Sequence, residues 1–485
     1  MSTRQGRIVA DVELTLNDTE STLKRILLDV ANFVDADNPS QLRFTGGWVR
    51  DKLLGVGSHD IDVAIDNMTG FQFGLKMKEY LEIPGNSIKY GLQGVDKRGG
   101  EANGMPKADA EHFISGLHKI AANPEKSKHL ETVTTRVLGL DIDLVNLRKE
   151  TYTEDSRNPR MEFGTPEEDA LRRDATINSM FYNLQTGKVE DLTGRGFDDM
   201  QSKIIRTPLE PYQTFKDDPL RVLRLIRFAS RLDYSIDSAV EQSMKDNTIK
   251  EALEMKISRE RVGVEVEKML KGEHHLCNSS RDNSLTIAIS GPRPGMALAL
   301  LDHLELYPTV FMDPTSSQLD FKPDLTSWHL AYGTIDQLVS SEASELSTIL
   351  LHDAEQQYVA WTLSAFVPLA NAPLPSPHKT GGKPLPPLAV SAARESIKAT
   401  NKICDILALA VRNMEEIRST KDAFLRHKMT SKVHADLADP SAADTLGMAI
   451  RRWGPSWLSQ VVFTLMAEVC AAKDVEHGQS HTTPL

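Results

Sequence analysis

Residues 42–66 read LRFTGGWVRDKLLGVGSHDIDVAID, and the fold is decided there. The apolar run Leu42–Thr45 reads as a strand that meets Gly46-Gly47, and VRDKLLG continues with helical spacing. Glycine lets a backbone approach a ligand closely, and amides at a helix start can hold phosphate. Asp60 follows Gly47 by thirteen residues, in an alternating run with Asp62. In a strand, positions i and i+2 share a face, so both carboxylates point one way while Ile61, Val63 and Ile65 point into a core. Two adjacent carboxylates repel unless a cation lies between them, and hard oxygen ligands suit Mg²⁺. A phosphate-holding turn beside such a pair matches two-metal phosphoryl transfer. Asp-x-Asp alone is a weak signal; the preceding Gly-Gly-x-Val-Arg-Asp gives it weight.

Outward from this stretch, residues 20–34 (ESTLKRILLDVANFV) carry apolar residues at helical spacing. From 42 to about 206 the texture is mixed, with alternating runs such as HDIDVAI and GLDIDLVNL beside helical segments. From 207 onward the strand signal fades, and LRVLRLIRFASRL, RERVGVEVEKML and AIRRWGPSWLSQVVFTLMAEVC all read as helix. The expectation is an α/β head followed by a mostly α-helical neck and body. Its segments are an N-terminal helical extension (1–40), the head (41–206), a helical neck (207–275) and a helical body (276–485). Loops are expected at 93–111, 277–295 and 368–387. The last contains seven prolines, which cannot continue a helix and should run extended.

With 485 residues the chain has room for about three structural units of ~150 residues. Its 40% apolar and 26% charged residues are ordinary for a globular protein. No apolar run approaches the ~18 residues of a spanning helix. The cysteines, Cys277, Cys404 and Cys470, are scattered and form no CxxC pair, which argues against a disulfide framework or a thiolate zinc site. His274 and His275 near Cys277 read as a solvated loop. A formal charge of −12 argues against a simple nucleic-acid binder, so cations that hold phosphate must be concentrated locally. Asp11, Glu13, Asp18 and Glu20 count against a transit peptide, though mitochondrial delivery stays open. No P-loop, HExxH or GxSxG element competes for the chemistry.

Three further stretches carry charged residues in telling order. A second Asp-x-Asp, Asp141 and Asp143, lies in GLDIDLVNLR ahead of Arg148. In FGTPEEDALRRDATINSMFYN (163–183), Thr165, Pro166 and Glu168 have the pattern of a capping box at a helix start, with Arg172-Arg173-Asp174 behind them. In DDPLRVLRLIRFASRL (217–232), Asp218 before Pro219 reads as a helix N-cap, and Asp218 and Arg221 are one turn apart.

Taken together, Gly46, Gly47, Asp60 and Asp62 in this order resemble the class II tRNA nucleotidyltransferases, the CCA-adding enzymes of bacteria and eukaryotes. The fungal-type members are most similar. That family belongs to the polymerase-β-like nucleotidyltransferases and includes bacterial poly(A) polymerases. The resemblance runs from about 42 to 270 and implies roles residue by residue. Arg50 stands at the family's nucleotide-contacting arginine, and Asp143 at a third carboxylate beside the metal site; Asp141 shares the face of Asp143 and, from the residues alone, reads as solvent-exposed. Arg172, Arg173 and Asp174 match the motif that contacts the nucleotide's ribose and triphosphate. Residues 149–162 sit where the family has a mobile loop, and 191–208 resemble the hinge motif joining head to neck.

Asp217-Asp218-Pro-Leu-Arg221 matches the base-reading motif EDxxR, with Asp in place of the first Glu. There a carboxylate accepts from the exocyclic amine of C or A while the guanidinium donates to the neighbouring ring nitrogen. U and G would set a carbonyl against the carboxylate, a penalty of ~1–3 kcal/mol. Arg224 and Arg227 would reach phosphate or base, and Arg259 and Arg261 in ISRERVGVEVEKML (257–270) would brace that helix or touch substrate. The implied activity is template-independent addition of C, C and A to tRNA from CTP and ATP, with two Mg²⁺ ions held by Asp60 and Asp62. The implied partners are tRNA and the two nucleotides; no protein partner and no membrane is called for, and the cytoplasm is expected with nuclear and mitochondrial pools open. Rival readings are a poly(A) polymerase or a partial CC- or A-adding enzyme on the same scaffold, and a catalytically idle RNA-binding relative.

Overall fold

The computed structural model describes residues 7–9, 14–58, 60–91, 114–120, 132–153, 156–271, 293–313, 321–340, 345–374, 385–430, 440 and 442–479. The chain divides into two compact units: Met1–Asp218 with Ser235–Val240 and His275–Ile289, and Pro219–Tyr234 with Glu241–His274 and Ser290–Leu485.

The first unit runs β1 (Arg7–Val9), α1 (Asp18–Val34), β2 (Leu42–Thr45), α2 (Gly47–Leu53), β3 (Asp60–Ile65), α3 (Gly70–Glu82), α4 (Asn86–Lys89) and β4 (Ile114–Ile120). It continues through β5 (Thr132–Val137), β6 (Leu140–Asn146), β7 (Arg148–Thr153), β8 (Ser156–Phe163), α5 (Pro166–Leu171), β9 (Phe181–Asn183) and β10 (Lys188–Asp191). Then come α6 (Gly196–Gln201), β11 (Ile204–Ile205) and α7 (Pro211–Asp217). Eight strands form one mixed sheet in the order β1-β10-β9-β2-β3-β6-β5-β4. At its centre β3 pairs antiparallel with β2 and parallel with β6. Alternation dictates which side is core. Ile61, Val63, Ile65, Ile142 and Leu144 are buried, whereas Asp60, Asp62 and Asp141 face out. The amphipathic α1 buries Leu23, Ile26, Leu27 and Val30, and α3 packs beside it with Phe73 and Met77. The start of α3 runs so close to β6 that a Cβ on Gly70 would lie 2.0 Å from the Leu144 carbonyl oxygen.

The second unit is helical. It contains α8 (Leu220–Leu232), then, after β12 (Ser235–Ile236) has paired parallel with β11 in the first unit, α9 (Ser238–Lys245, whose first turn belongs to that unit), α10 (Asn247–Lys256) and α11 (Arg259–Leu270). It goes on with α12 (Pro294–His303), α13 (Tyr307–Phe311), α14 (Trp328–Ser340), α15 (Glu345–Leu350), α16 (Ala354–Ser364), α17 (Leu388–Ser396), α18 (Asn401–Thr430), α19 (Ala443–Trp453) and α20 (Trp457–Gln479). Tyr307, Phe311, Trp328 and Phe366 stack edge-on at its core, with Tyr307 and Trp328 centroids 4.7 Å apart. In α8, Val222, Leu223, Leu225 and Ile226 are fully buried, so this helix is held by packing on several sides.

The α/β head and helical remainder agree with the expectation from sequence, as does the capping box of Thr165 and Glu168. Four details differ. Residues 149–162, matched to a mobile loop of the family, lie largely in the β7–β8 antiparallel hairpin. Pro368, placed in a loop, is the second residue of a short 3₁₀ turn, Val367–Leu369, where proline's fixed φ suits a first turn. Pro294 and Gly295, placed in a loop, begin α12 for the same reason. The start of α8 falls one residue later than expected: Pro219 holds the cap position and Asp218 closes α7. Its extended backbone (φ −136°, ψ 94°) ahead of a helical Pro219 (φ −62°, ψ −20°) is the conformation of a cap, but hydrogen bonding begins one residue later. The loop at 93–111, His274, His275 and Cys277, and most of the 277–295 loop lie outside the described residues.

Candidate active site

Strand pairing assembles the acidic face. Asp60 lies opposite Asp141, and Asp62 opposite Asp143, in the parallel ladder of β3 and β6. Side chains of a register pair stand on the same face, so four carboxylates make two rungs. Thr134 on β5 donates to Asp143 Oδ1 at 2.7 Å and fixes its rotamer. The outer Asp141 is more than half exposed, with Arg136 3.7 Å away, as its expected solvent position requires.

Gly46 ends the β2 strand at φ 74° and ψ −141°, a region that L side chains rarely adopt. A Cβ there would meet Asp62 Oδ2 at 3.1 Å and Arg173 Nη1 at 3.4 Å. The positive φ favours glycine, and a Cβ would also press on the carboxylate and the guanidinium that close over the turn. No side chain caps the start of α2. Asp62 counts as exposed by surface area, but the atoms around it form a recess, and the recess governs its hydration. Burial pushes its carboxyl up to about 6; Asp143 and Asp60 add to the shift, and Arg173 and Arg148 oppose it.

Arg172 and Arg173 leave the end of α5 and converge on Asp169, one turn earlier. Asp169 Oδ1 accepts from Arg172 Nε at 2.9 Å and Oδ2 from Arg173 Nη2 at 2.8 Å; the carboxylate is 2% exposed. Burial alone would raise its pKa, but the two guanidiniums outweigh it and hold the carboxyl below its usual range. Arg172 also donates to Glu150 at 2.9 Å, and Arg173 lies over the Phe181 ring. Arg148 sits in the same cluster. Burial, followed by the neighbouring Arg172, pulls it down to about 10, and its Nε has no hydrogen-bond partner. Three guanidiniums thus face Asp169 and Glu150, and two of them, Arg173 and Arg148, also act on Asp62.

Arg50 is 4% exposed beneath the glycine turn. Its Nε and Nη2 hold Asp51 Oδ1 at 2.8 and 2.7 Å, and Nη1 donates to Asn178 Oδ1 at 2.5 Å. Asp174 is buried and accepts from Asn178 Nδ2 at 3.4 Å. The structure therefore brings together Gly46, Gly47, Arg50, Asp60, Asp62, Asp143, Arg172, Arg173 and Asp174. Asp169 and Asn178 escaped the sequence reading, although Asp169 at i−3 and i−4 from two arginines was a visible signal.

In the helical unit, Arg221 and Arg227 of α8 are buried and Arg224 is partly exposed. Arg227 Nε donates to Glu265 Oε2 on α11 at 2.8 Å, with Arg224 4.0 Å from the same carboxylate. Arg259 braces the unit by donating to the Thr309 carbonyl at 2.7 Å.

Among the described residues no three His, Cys, Asp or Glu side chains converge into a preformed metal cage. The donor chemistry nonetheless fits a hard divalent cation, since Asp60 and Asp62 share a face and Asp143 adds its charge to the recess that already disfavours an ionised Asp62. Among the described residues no helix is long and apolar enough to cross a membrane.

Residues 42–95 and 102–206 match the family model described as the Poly A polymerase head domain. The chain is 44% identical to a nucleotidyltransferase of Purpureocillium lilacinum over 95% of this chain and 72% of that protein. It is 39% identical to a tRNA nucleotidyltransferase of Schizosaccharomyces pombe over 80% of this chain and 69% of that one. A mitochondrial CCA tRNA nucleotidyltransferase of Saccharomyces cerevisiae is 46% identical over 62% of this chain, which spans about half of its length (48%). Among solved structures, the Thermotoga maritima CCA-adding enzyme complexed with tRNA has the same fold, with a TM-score of 0.51 at 15% identity over 99% of this chain and 88% of that one.

Proposed function

The chain belongs to the tRNA nucleotidyltransferase family, and from that premise we propose that it adds C, C and A to the 3' end of tRNA without a nucleic-acid template. The 3'-hydroxyl oxygen attacks the α-phosphorus of CTP, CTP again and then ATP. In each cycle one P–O bond forms, the α–β anhydride bond breaks, the hydroxyl loses its proton and pyrophosphate leaves. The observation that carries this reading is the Asp62–Asp143 rung beside a glycine turn over which Arg173 closes.

Asp60 and Asp62, with Asp143 assisting, would hold two Mg²⁺ ions, which when bound lower the pKa of the hydroxyl and neutralise charge gathered in transfer. Nucleotidyltransferases generally use divalent metal ions, and these hard oxygen donors suit them. Gly46 and Gly47 receive the triphosphate by their backbone, with Arg50 supporting the turn from beneath. Arg172, Arg173 and Asp174 orient triphosphate and ribose, and the guanidiniums of Arg173 and Arg148 that act on Asp62 favour a polyphosphate there. Asp218 and Arg221 choose the base: the carboxylate takes the exocyclic amine of C or A and leaves the carbonyl of U or G unpaired. Arg224 and Arg227 complete that helix, Arg227 in the arrangement that Glu265 fixes. The tRNA and the two nucleotides are the partners proposed. Because tRNA needs this end wherever it is used, action in the cytoplasm with nuclear and mitochondrial pools belongs to the same proposal.

The test is incorporation of labelled CTP and ATP, with UTP and GTP as controls, into a tRNA lacking its last three nucleotides. Addition of C, C and A that is lost in the Asp60→Ala/Asp62→Ala variant is the expected result. A long A tail would make the chain a poly(A) polymerase, a reading that the head-domain match also accommodates. A product stopping at CC, or gaining only A, would make it a partial enzyme. No incorporation would leave an RNA-binding relative.

A further inference from the structure

One row of side chains across the sheet of the head is nearly symmetrical about its centre. Along β2, β3, β6 and β5 the register partners are Thr45, Asp62, Asp143 and Thr134. The two parallel strands in the middle supply the carboxylates, and each antiparallel neighbour sets a threonine directly opposite one of them. Such partners stand on the same face with Cβ atoms about 4.5–5.5 Å apart, close enough for a hydroxyl to reach a carboxylate. On one side that bond is made: the Thr134 hydroxyl donates to Asp143 Oδ1 at 2.7 Å. On the other side it is not. Thr45 is 1% exposed, and its Oγ1 has no hydrogen-bond partner among the described residues.

Asp62 is turned elsewhere. Its Oδ2 stands 3.1 Å from where a Cβ would lie on Gly46, one residue past Thr45, and Arg173 Nη1 is 3.4 Å from the same point. The carboxylate leans over the turn, on the side where the guanidinium stands. The second register partner of Thr45 is Phe181 on β9, a buried ring that offers no carboxylate and lies under the Arg173 guanidinium at 5.1 Å. Of the two partners, only Asp62 can accept from the hydroxyl. Valine would fill the same space without burying an unpartnered polar atom, so the hydroxyl is a cost to the resting fold. A carboxylate that ligates a cation is itself held by hydrogen bonds, and losing such a partner weakens metal binding by about 10- to 100-fold.

We propose that Thr45 is a positioning residue for Asp62: its hydroxyl donates to the carboxylate when Asp62 turns from the Arg173 side to a divalent cation, as the Thr134 hydroxyl does for Asp143. The proposal rests on the two-metal reading of this face, and it gives each inner carboxylate a donor of its own.

The experiment compares the wild-type chain with Thr45→Val, which keeps the shape and removes the hydroxyl, and Thr45→Ser, which keeps the hydroxyl. Mn²⁺ is the probe, its free concentration read by electron paramagnetic resonance during titration of the full chain, with and without CTP and in the absence of tRNA. Thr45→Val should bind Mn²⁺ about 10- to 100-fold more weakly, and Thr45→Ser should stay close to wild type. The metal-free unfolding temperature of Thr45→Val should hold or rise, because its hydroxyl has no partner there to lose. Nucleotide incorporation by Thr45→Val should fall at low Mg²⁺ and recover as Mg²⁺ saturates, with KM for tRNA unchanged. A purely structural role would move stability and tRNA affinity instead.

Unchanged Mn²⁺ affinity in Thr45→Val, an equal loss in Thr45→Ser, or a metal-free Thr45→Val chain that is less stable or fails to fold would overturn the proposal. Weaker Mn²⁺ binding in Thr45→Val beside a wild type that transfers no nucleotide would defeat the activity reading and leave the positioning role standing. Addition of C, C and A by a chain whose Mn²⁺ affinity ignores Thr45 would do the reverse. A wild type that binds no Mn²⁺ would overturn both.

Discussion

Glu265 on α11 accepts a 2.8 Å hydrogen bond from Arg227 on α8, and the two side chains are 6% and 9% exposed. A buried ion pair is weak evidence of net stability, but removing one partner costs more than the pair itself contributes. Glu265→Ala should therefore lower unfolding free energy by about 3 kcal/mol, as read from urea titration. Glu265→Gln keeps the acceptor and should lose less. If both variants match the wild type, the pair does not brace the helix that carries Arg221 and Arg224.

Asp169 makes a prediction about pH. Its folded pKa lies below the ordinary value because Arg173 and Arg172 outweigh the upward push of burial. A depressed carboxylate contributes stability that is fully present above its unfolded pKa, ~3.9, and is lost as pH falls through the folded value. The wild type should thus be more stable than Asp169→Asn at pH 7. The gap should narrow steadily below about pH 4. A stability difference that stays constant from pH 7 to pH 3 would show that the ionised form of Asp169 is not what holds the arginines.

The head was legible because three of its devices are written locally. The Gly46-Gly47 turn, the alternating Asp60–Ile65 run and the Thr165 capping box each announce themselves within a few residues, and tertiary packing did not override them. Asn178 and Glu265 were not legible, since what they do depends on partners that only the fold brings close: Arg50 for the first, Arg227 for the second. The β7–β8 hairpin was hidden for another reason. Its polar composition masks the pairing, and only contact between the two strands reveals them. Asp218 shows how fine the margin is at a helix start, where the backbone takes the cap conformation but the hydrogen-bonded helix begins at Leu220.

Gly46 and Gly55 separate two effects of adding a methyl group. Both have positive φ, 74° and 76°, so alanine at either is strained by about 1–3 kcal/mol. Only at Gly46 would the Cβ also press on Asp62 and Arg173; at Gly55 nothing lies within 4 Å. Gly46→Ala should cut nucleotide incorporation by about 100-fold. Gly55→Ala should lower the unfolding temperature comparably and leave incorporation within a few-fold of wild type. Equal loss of activity in both would reduce the Gly46 effect to backbone strain.

In the helical unit the same substitution has opposite signs at two places. A Cβ on Gly263 of α11 would stand 2.0 Å from the Ile397 carbonyl oxygen at the end of α17, and backbone cannot move aside cheaply. Gly263→Ala should cost about 3 kcal/mol or prevent α17 from docking. Gly447 in α19 is exposed with nothing within 4 Å, and alanine there should stabilise by about 0.5–1 kcal/mol through lower backbone entropy in the unfolded chain. Thermal unfolding of the two variants reads both signs.

The two rungs of the acidic face should differ sharply in what they do. Asp143 stands opposite Asp62, is fixed by Thr134, and raises the Asp62 pKa, so it shares the recess in which charge must be managed. Asp141 stands opposite Asp60 but is more than half exposed near Arg136, where solvent screens it. Asp143→Asn should reduce incorporation by about 100-fold or more, whereas Asp141→Asn should stay within about 3-fold of wild type. Thr134→Val removes the hydroxyl that orients Asp143 and should fall between them. If Asp141→Asn instead matches the loss at Asp143, the outer rung belongs to the metal-binding face and the division drawn from burial is wrong.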